Sequence, residues 1–86
     1  MKENEIIGKI KEIIKPFVKN EKAFNEISLI THFTQDLKIN SARLVDIVIS
    51  FEDEFHLSIN DQEAVSIRTV GDAISIIQQK LKAPAI

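Results

Sequence analysis

The chain has 86 residues and a formal net charge of −2, which is enough for one domain with a modest hydrophobic core. It contains no cysteine, and this excludes disulfides, thiolate metal sites and a cysteine nucleophile. Two glycines and two prolines are too few for the many tight turns of a small sheet protein. We therefore expect residues 1–86 to form a single all-α domain.

Charge is distributed unevenly along the chain. Residues 2–22 carry six lysines against four glutamates, whereas residues 36–72 carry eight carboxylates against three basic side chains. A nucleic-acid binder needs the opposite sign on its contact face, so we expect basic protein partners and no nucleic acid. No signal peptide or bilayer-spanning apolar run is present, so we expect a cytoplasmic protein without membrane insertion.

The first predicted helix covers Glu3–Lys15 and ends or kinks at Pro16, which cannot continue the backbone ladder. Residues 16–36 form a long connection, with a short helical turn over 23–27 and an ordered loop over 28–36. Connections of this length are often functional. The residues expected to anchor the loop are apolar: Leu29, Ile30, Phe33 and Leu37.

Three further helices are predicted. The second runs from about Ser41 to Phe55, and either Asn40 or Ser41 can cap it. A short third helix covers 61–66, opened by a capping box between Asn60 and Glu63. The last helix covers about 69–81, and residues 83–86 should be a loose tail. The expected fold is a small four-helix bundle with a long loop between its first two helices.

The second helix has two apolar stripes. Its core face is the narrow arc formed by Leu44, Ile47, Val48, Phe51 and Phe55. Ala42, Val45 and Ile49 lie roughly 100° to 160° away. Glu52 flanks this second stripe on one side, and Asp46 and Asp53 flank it on the other. Periodicity leaves two alternatives open: the stripe is buried under the loop or the third helix, or it is an exposed docking surface with a charged rim.

Ser41 opens this helix. A helix amino terminus favours a phosphate attached or bound there, because free amides and the positive end of the dipole meet at that point. The alternative is that Ser41 is only a helix cap.

The segment from Asp36 to Ile77 contains the stretches DLKINSA, EDEF, LSINDQEA and IRTVGDAISII. In this order, and without a gap, they resemble the acyl carrier protein family, whose hallmark D-L-G-x-D-S-L opens a helix that ends in E-E-E-F. The resemblance is close over about half of the chain. The first helix agrees only in character, and residues 16–33 carry little family signal.

The resemblance implies that Ser41 receives a phosphopantetheine arm from coenzyme A, attached as a phosphodiester by a phosphopantetheinyl transferase. The arm's thiol would then carry acyl groups as thioesters, which the bare chain cannot do. Partner enzymes that make or transfer acyl chains would dock through basic patches. The residues implied in docking are Asn40, Ala42, Val45, Asp46, Ile49, Glu52 and Asp53. The residues implied around a sheltered chain are Phe51, Ile59, Ala64 and Ile67.

Three departures from the family pattern matter most. Asn40 replaces the usual Asp before the serine, Ala42 replaces the usual Leu after it, and Arg43 stands where an acidic residue is common. They suggest a specialised carrier, in fatty-acid-like or polyketide- and aryl-polyene-like synthesis. The alternatives are an aminoacyl or peptidyl carrier, an unmodified helical interaction domain, and a small hydrolase that uses Ser41.

No other constellation indicates catalysis or metal binding. His32 and His56 are far apart in sequence, and neither lies in a metal-ligand pattern. The acidic run over 52–54 lacks the alternating ligands and the glycine of a calcium loop. We therefore expect a monomeric, non-enzymatic protein without a metal.

Overall fold

A computed structural model describes residues 2–82 of the chain, with side chains to Leu81. Over this range the chain forms five α-helices, and two 3₁₀ turns lie at residues 15–17 and 41–43. The helices are α1 (Glu3–Ile14), α2 (Glu21–Asn25), α3 (Leu44–Phe55), α4 (Asp61–Ser66) and α5 (Val70–Lys82). The described residues contain no strand, so the predicted all-α bundle is confirmed. The predicted tail, 83–86, lies outside the described residues.

The core is built from one face of each long helix. In α1 the residues Ile6, Ile10 and Ile14 recur at intervals of four and are completely buried. α1 packs against α3 and α5. The buried residues of those two helices are Ile47, Phe51 and Phe55 in α3, and Val70, Ala73, Ile74 and Ile77 in α5. The aliphatic core expected from the composition is therefore confirmed, with Phe51 and Phe55 in edge-to-face contact inside it.

Backbone hydrogen bonds join the long connection to the beginning of α5. The amide of Gly71 donates to the carbonyl of Leu29 at 2.8 Å, and the amide of Phe33 donates to the carbonyl of Arg68 at 3.0 Å. A Cβ atom at Gly71 would lie 2.8 Å from the Leu29 oxygen, so only glycine permits this approach. The predicted anchors Phe33 and Leu37 are buried, as expected.

Two predicted anchors of this loop are wrong. Leu29 and Ile30 are 45% and 81% exposed. Because the loop already holds α5 through its main chain, their side chains are free to point outward. The short helix in this connection begins at Glu21, two residues before the predicted turn, since the Asn20 side chain caps it by accepting the amide of Ala23 at 3.2 Å.

The start of α4 agrees with the sequence prediction. The amide of Glu63 donates to Asn60 Oδ1 at 2.8 Å, and the amide of Asn60 donates to Glu63 Oε1 at 3.0 Å, which is the predicted capping box. Lys80 Nζ lies 2.8 Å from Glu63 Oε1 and so connects α5 to α4. The hydrogen bond from Lys80, followed by that from the Asn60 amide, holds the pKa of Glu63 below its usual value.

A second reciprocal cap opens α5, which begins at Val70, one residue after the predicted start. The amide of Asp72 donates to Thr69 Oγ1 at 3.1 Å, and Asp72 Oδ2 accepts the amides of Thr69 and Arg68 at 3.1 and 3.2 Å. Burial raises the pKa of the Asp72 carboxyl, but these hydrogen bonds outweigh it, so the pKa lies below its usual value.

Lys38 and His56 adopt left-handed backbone conformations, with φ angles of 58° and 55°. His56 ends α3, and the amides of His56 and Leu57 both donate to the carbonyl of Glu52. Lys38 lies three residues before Ser41, where the family hallmark has glycine. A side chain is disfavoured at both positions.

Candidate functional site

Ser41 is exposed at the first residue of the 3₁₀ turn that leads into α3. The amides of the three residues that follow it are already engaged. Asn40 Oδ1 accepts the amide of Ala42 at 2.9 Å, and the carbonyl of Asn40 accepts the amide of Arg43 at 2.7 Å. The amide of Leu44 donates to the carbonyl of Ser41. Asn40 is therefore the cap, and the serine side chain is left on the surface, where a modifying enzyme can reach it.

Two grooves meet at Ser41. The first, which we call the α3/α4 groove, has a volume of about 450 Å³ and an apolar lining broken by two carboxylates. Its lining residues are Ser41, Leu44, Val45, Val48, Ile49, Glu52, Ile59, Asp61, Ala64 and Val65.

The second groove lies between α4 and the long connection, and we call it the loop/α4 groove. Its volume is about 490 Å³, and its lining is more polar. Its lining residues are His32, Thr34, Gln35, Ser41, Leu44, Ala64, Val65, Ile67 and Arg68. The two grooves share Ser41, Leu44, Ala64 and Val65, so a group attached to the Ser41 hydroxyl has access to either one.

The second apolar stripe of α3 is exposed. Val45 and Ile49 are 64% and 50% exposed, and Ala42 is exposed as well. Neither the loop nor α4 covers them, so the predicted alternative of burial is wrong. Val65, on α4, is 75% exposed and widens the apolar surface beside Ser41. An accessible apolar strip next to charged side chains has the character of a docking surface.

Two charges on the rim of this stripe are already paired. Arg43 Nη1 lies 3.0 Å from Asp46 Oδ2, so the cation at Arg43 partly neutralises the first turn of α3. Glu52 Oε2 accepts the amide of Ile59 at 2.9 Å, because the α3–α4 connection folds back over the end of α3. Glu52 is consequently half-buried, and it stabilises the wall of the α3/α4 groove in addition to any docking role. Asp53 is exposed.

The residues predicted to surround a sheltered chain are dispersed. Ile59 and Ala64 line the α3/α4 groove, whereas Ile67 lines the loop/α4 groove. Phe51 is completely buried in the core and lines neither groove. Sequence reasoning missed Val65 and Arg68, both of which lie beside Ser41 in the fold. The sequence carries little indication that they lie near Ser41, because 24 or more positions separate them from the serine.

Within residues 2–81, no group of three or more His, Asp or Glu side chains is placed to hold a metal ion. None of the described helices combines the length and the apolar character needed to cross a bilayer.

Known proteins are similar to this chain in sequence and in fold. The chain is 37% identical over 81 residues to the acyl carrier protein of Petrotoga mobilis, covering 94% of this chain and 93% of that protein. It is 42% identical over 78 residues to the acyl carrier protein of Lactobacillus acidophilus, covering 91% and 95%. The chain belongs to the acyl carrier protein family. No protein-family model matches it.

A solved acyl carrier protein has the same fold. The acyl carrier protein of Enterococcus faecalis superposes with a TM-score of 0.75 at 28% identity, over 93% of this chain and 99% of that one. Acyl carrier proteins are carriers and not catalysts, hold a covalent phosphopantetheine group, and typically serve fatty acid biosynthesis. The residues around Ser41 fit such a group, since the exposed serine lies where two grooves meet.

Proposed function

We propose that this acyl carrier protein holds its phosphopantetheine arm on Ser41 and carries acyl intermediates as thioesters on the arm's thiol. The observation that carries the proposal is the exposure of Ser41 at the junction of two grooves, beside the exposed stripe of α3. In the attachment step the serine oxygen bonds to the phosphorus of the pantetheine phosphate of coenzyme A. The serine hydroxyl loses its proton, the pyrophosphate bond breaks, and adenosine bisphosphate leaves with the electron pair of that bond.

The arm supplies the thiol that this cysteine-free chain lacks. The chain itself tethers the arm, offers it two grooves and presents α3 to partner enzymes. The α3/α4 groove is lined largely by aliphatic side chains, including Val48, Ile59 and Ala64. An aliphatic lining favours an acyl cargo over an aminoacyl or peptidyl one, because such a groove binds a cargo mainly by burying the cargo's apolar surface. We therefore place the carrier in fatty-acid-like synthesis or in a specialised polyketide- or aryl-polyene-like relative of it.

Partner enzymes, including the phosphopantetheinyl transferase, dock on α3. Ala42, Val45 and Ile49 supply the apolar contact, while Asp46 and Asp53 face basic patches on the partner. Charges at the rim of an interface mainly steer the encounter and are screened by salt. Binding is therefore weak and salt-sensitive, which suits a carrier that has to release each partner.

Intact mass spectrometry tests the attachment site. The purified chain is incubated with coenzyme A and a broad-specificity phosphopantetheinyl transferase, and we expect a single addition with the mass of the arm. Ser41→Ala should abolish the addition. Ser58→Ala is the matched control, since Ser58 is also exposed but lies in the α3–α4 connection; it should be modified as the wild type is.

Other outcomes would support the alternatives. A wild-type chain that gains no mass under conditions that modify a known carrier would contradict the proposal and favour an unmodified interaction domain. Hydrolysis of a simple ester by the purified, unmodified chain, lost in Ser41→Ala, would favour a hydrolase. We expect no such activity.

A further inference from the structure

The two grooves that meet at Ser41 differ in charge. Glu52 and Asp61 line the α3/α4 groove. The loop/α4 groove contains Arg68 and His32, and no carboxylate is among its lining residues. An anion attached to Ser41 would meet like charges in the first groove and a cation in the second.

The backbone of Arg68 is fixed by hydrogen bonds at the wall of the loop/α4 groove. Its amide donates to Asp72 Oδ2 at 3.2 Å, and its carbonyl accepts the amide of Phe33 at 3.0 Å. The three ion pairs found among the described residues do not include its guanidinium. The nearby carboxylate of Asp72, whose pKa the Arg68 charge helps to lower, already accepts two backbone amides. Arg68 is exposed and able to bind an anion from solvent.

The positive groups of the turn that follows Ser41 are engaged. The amides of Ala42, Arg43 and Leu44 donate within the turn, so the anion-binding capacity of a bare helix terminus is much reduced here. The Arg43 side chain is paired with Asp46 and does not line the loop/α4 groove.

We propose that the loop/α4 groove binds the anionic phosphodiester at the root of an arm on Ser41, with Arg68 as its counter-ion. The polar side chains of His32, Thr34 and Gln35 form the opposite wall. This inference rests on the proposed attachment to Ser41. The root of the arm then turns toward the long connection, away from the exposed stripe of α3, and leaves that stripe open for partners.

Amide and arginine side-chain NMR spectra of the full chain, recorded before and after attachment of the arm, test the site. We expect shift changes at Thr34, Gln35 and the Arg68 Nε–H group. Arg68→Gln should lose the changes at Thr34 and Gln35, whereas Arg68→Lys, which keeps the charge, should retain them. Arg43→Gln is the matched control, since it removes an exposed cation outside the groove, and it should leave the changes intact.

Salt gives an independent check on the ionic contribution. Raising the ionic strength from about 10 mM to about 1 M shortens the Debye length from roughly 30 Å to roughly 3 Å, so the changes at Thr34 and Gln35 should shrink. Intact mass confirms that each variant carries the arm.

Two results would overturn the inference while the attachment itself stands. One is shift changes confined to the α3/α4 groove, for example at Val48 and Ile59. The other is changes at Thr34 and Gln35 that persist unaltered in modified Arg68→Gln. Failure of the wild type to gain mass would instead contradict the proposed function, and this inference would fall with it.

Discussion

Asn40 Oδ1 accepts the amide of Ala42 at the entrance to α3, so Asn40, and not Ser41, supplies the side-chain cap of this turn. This relieves Ser41 of the role that most serines have at such positions. Asn40 replaces the family's usual Asp and retains the accepting oxygen without the charge. The substitution therefore preserves the local fold beside Ser41 while removing one negative charge that a partner could recognise.

Lys38 and His56 adopt φ angles that glycine accepts more readily than any residue with a Cβ atom. We expect Lys38→Gly and His56→Gly each to raise the free energy of unfolding, by roughly 0.5 to 1 kcal/mol. Urea denaturation of the purified variants measures this change.

The control for these two variants is Gln79→Gly, at an exposed position inside α5. It should lower the free energy of unfolding by about 1 kcal/mol, because glycine in a helix interior costs backbone entropy. If all three variants were destabilised alike, the left-handed conformations at Lys38 and His56 would not be the strained positions that the φ angles indicate.

At the scale of elements, α3 has two apolar faces with different roles. Ile47 is 1% exposed within the core, and Ile49, two residues later, is 50% exposed. We expect Ile47→Ala to lower the free energy of unfolding by about 2 to 5 kcal/mol, through lost burial and a cavity. Ile49→Ala should cost less than about 1 kcal/mol, since surface substitutions have small effects.

The rate at which the transferase attaches the arm should show the reverse order for Ile47→Ala and Ile49→Ala. We expect Ile49→Ala to slow arm transfer by the transferase, whereas Ile47→Ala, assayed where it is still folded, should be modified at near the wild-type rate. Equal loss of transfer in both variants would contradict the separation of α3 into a core face and a docking face.

The beginning of α5 depends on the Asp72 carboxylate. Because the folded-state pKa lies below the unfolded value of 3.8, ionised Asp72 stabilises the fold above that value. This contribution is lost as the pH falls through the lowered folded-state pKa. We expect Asp72→Asn to lower the free energy of unfolding by about 1 kcal/mol at pH 7, and the difference from wild type to shrink by pH 3.

Urea denaturation at a series of pH values between 7 and 3 measures this difference. Profiles that remain parallel across the range would mean that the charge on Asp72 does not stabilise α5.

At the scale of the molecule, some charged side chains form ion pairs that connect helices, and the others remain available to partners. Lys9 Nζ lies 2.9 Å from Glu54 Oε1 and connects α1 to α3, and this hydrogen bond raises the pKa of Lys9. Lys80 and Glu63 similarly connect α5 to α4. Part of the acidic excess of residues 36–72 is thus paired with lysines of α1 and α5. The surface that a partner meets beside Ser41 is less negative than the other acidic residues of 36–72 would make it, because Arg43 lies on it.

Reversing the charge at Arg43 tests this view of the surface. We expect Arg43→Glu to increase kcat/KM for arm transfer by about threefold at low salt, since exposed charge pairs are worth up to about 1 kcal/mol. The gain should disappear near 1 M salt. Lys2→Glu changes the net charge equally at the residue before α1 and should have little effect. A similar gain from Lys2→Glu would show that net charge, and not the α3 surface, governs the encounter.

The sequence by itself determined the local features of this protein. The isoleucines of α1 predict a helix, and Asn60 and Glu63 predict a capping box, because periodicity and caps act within a few residues. The motif around Ser41 likewise indicated both the family and the candidate site. These predictions needed no knowledge of how the helices pack.

Only the tertiary structure decided what surrounds Ser41. The spacing of Val45 and Ile49 is compatible with burial or exposure, and the packing of the loop and α4 leaves them uncovered. The bond from Ile59 to Glu52 and the position of Arg68 beside Ser41 join residues that are distant in sequence. Such contacts depend on how whole elements pack, and no local pattern of residues encodes that packing.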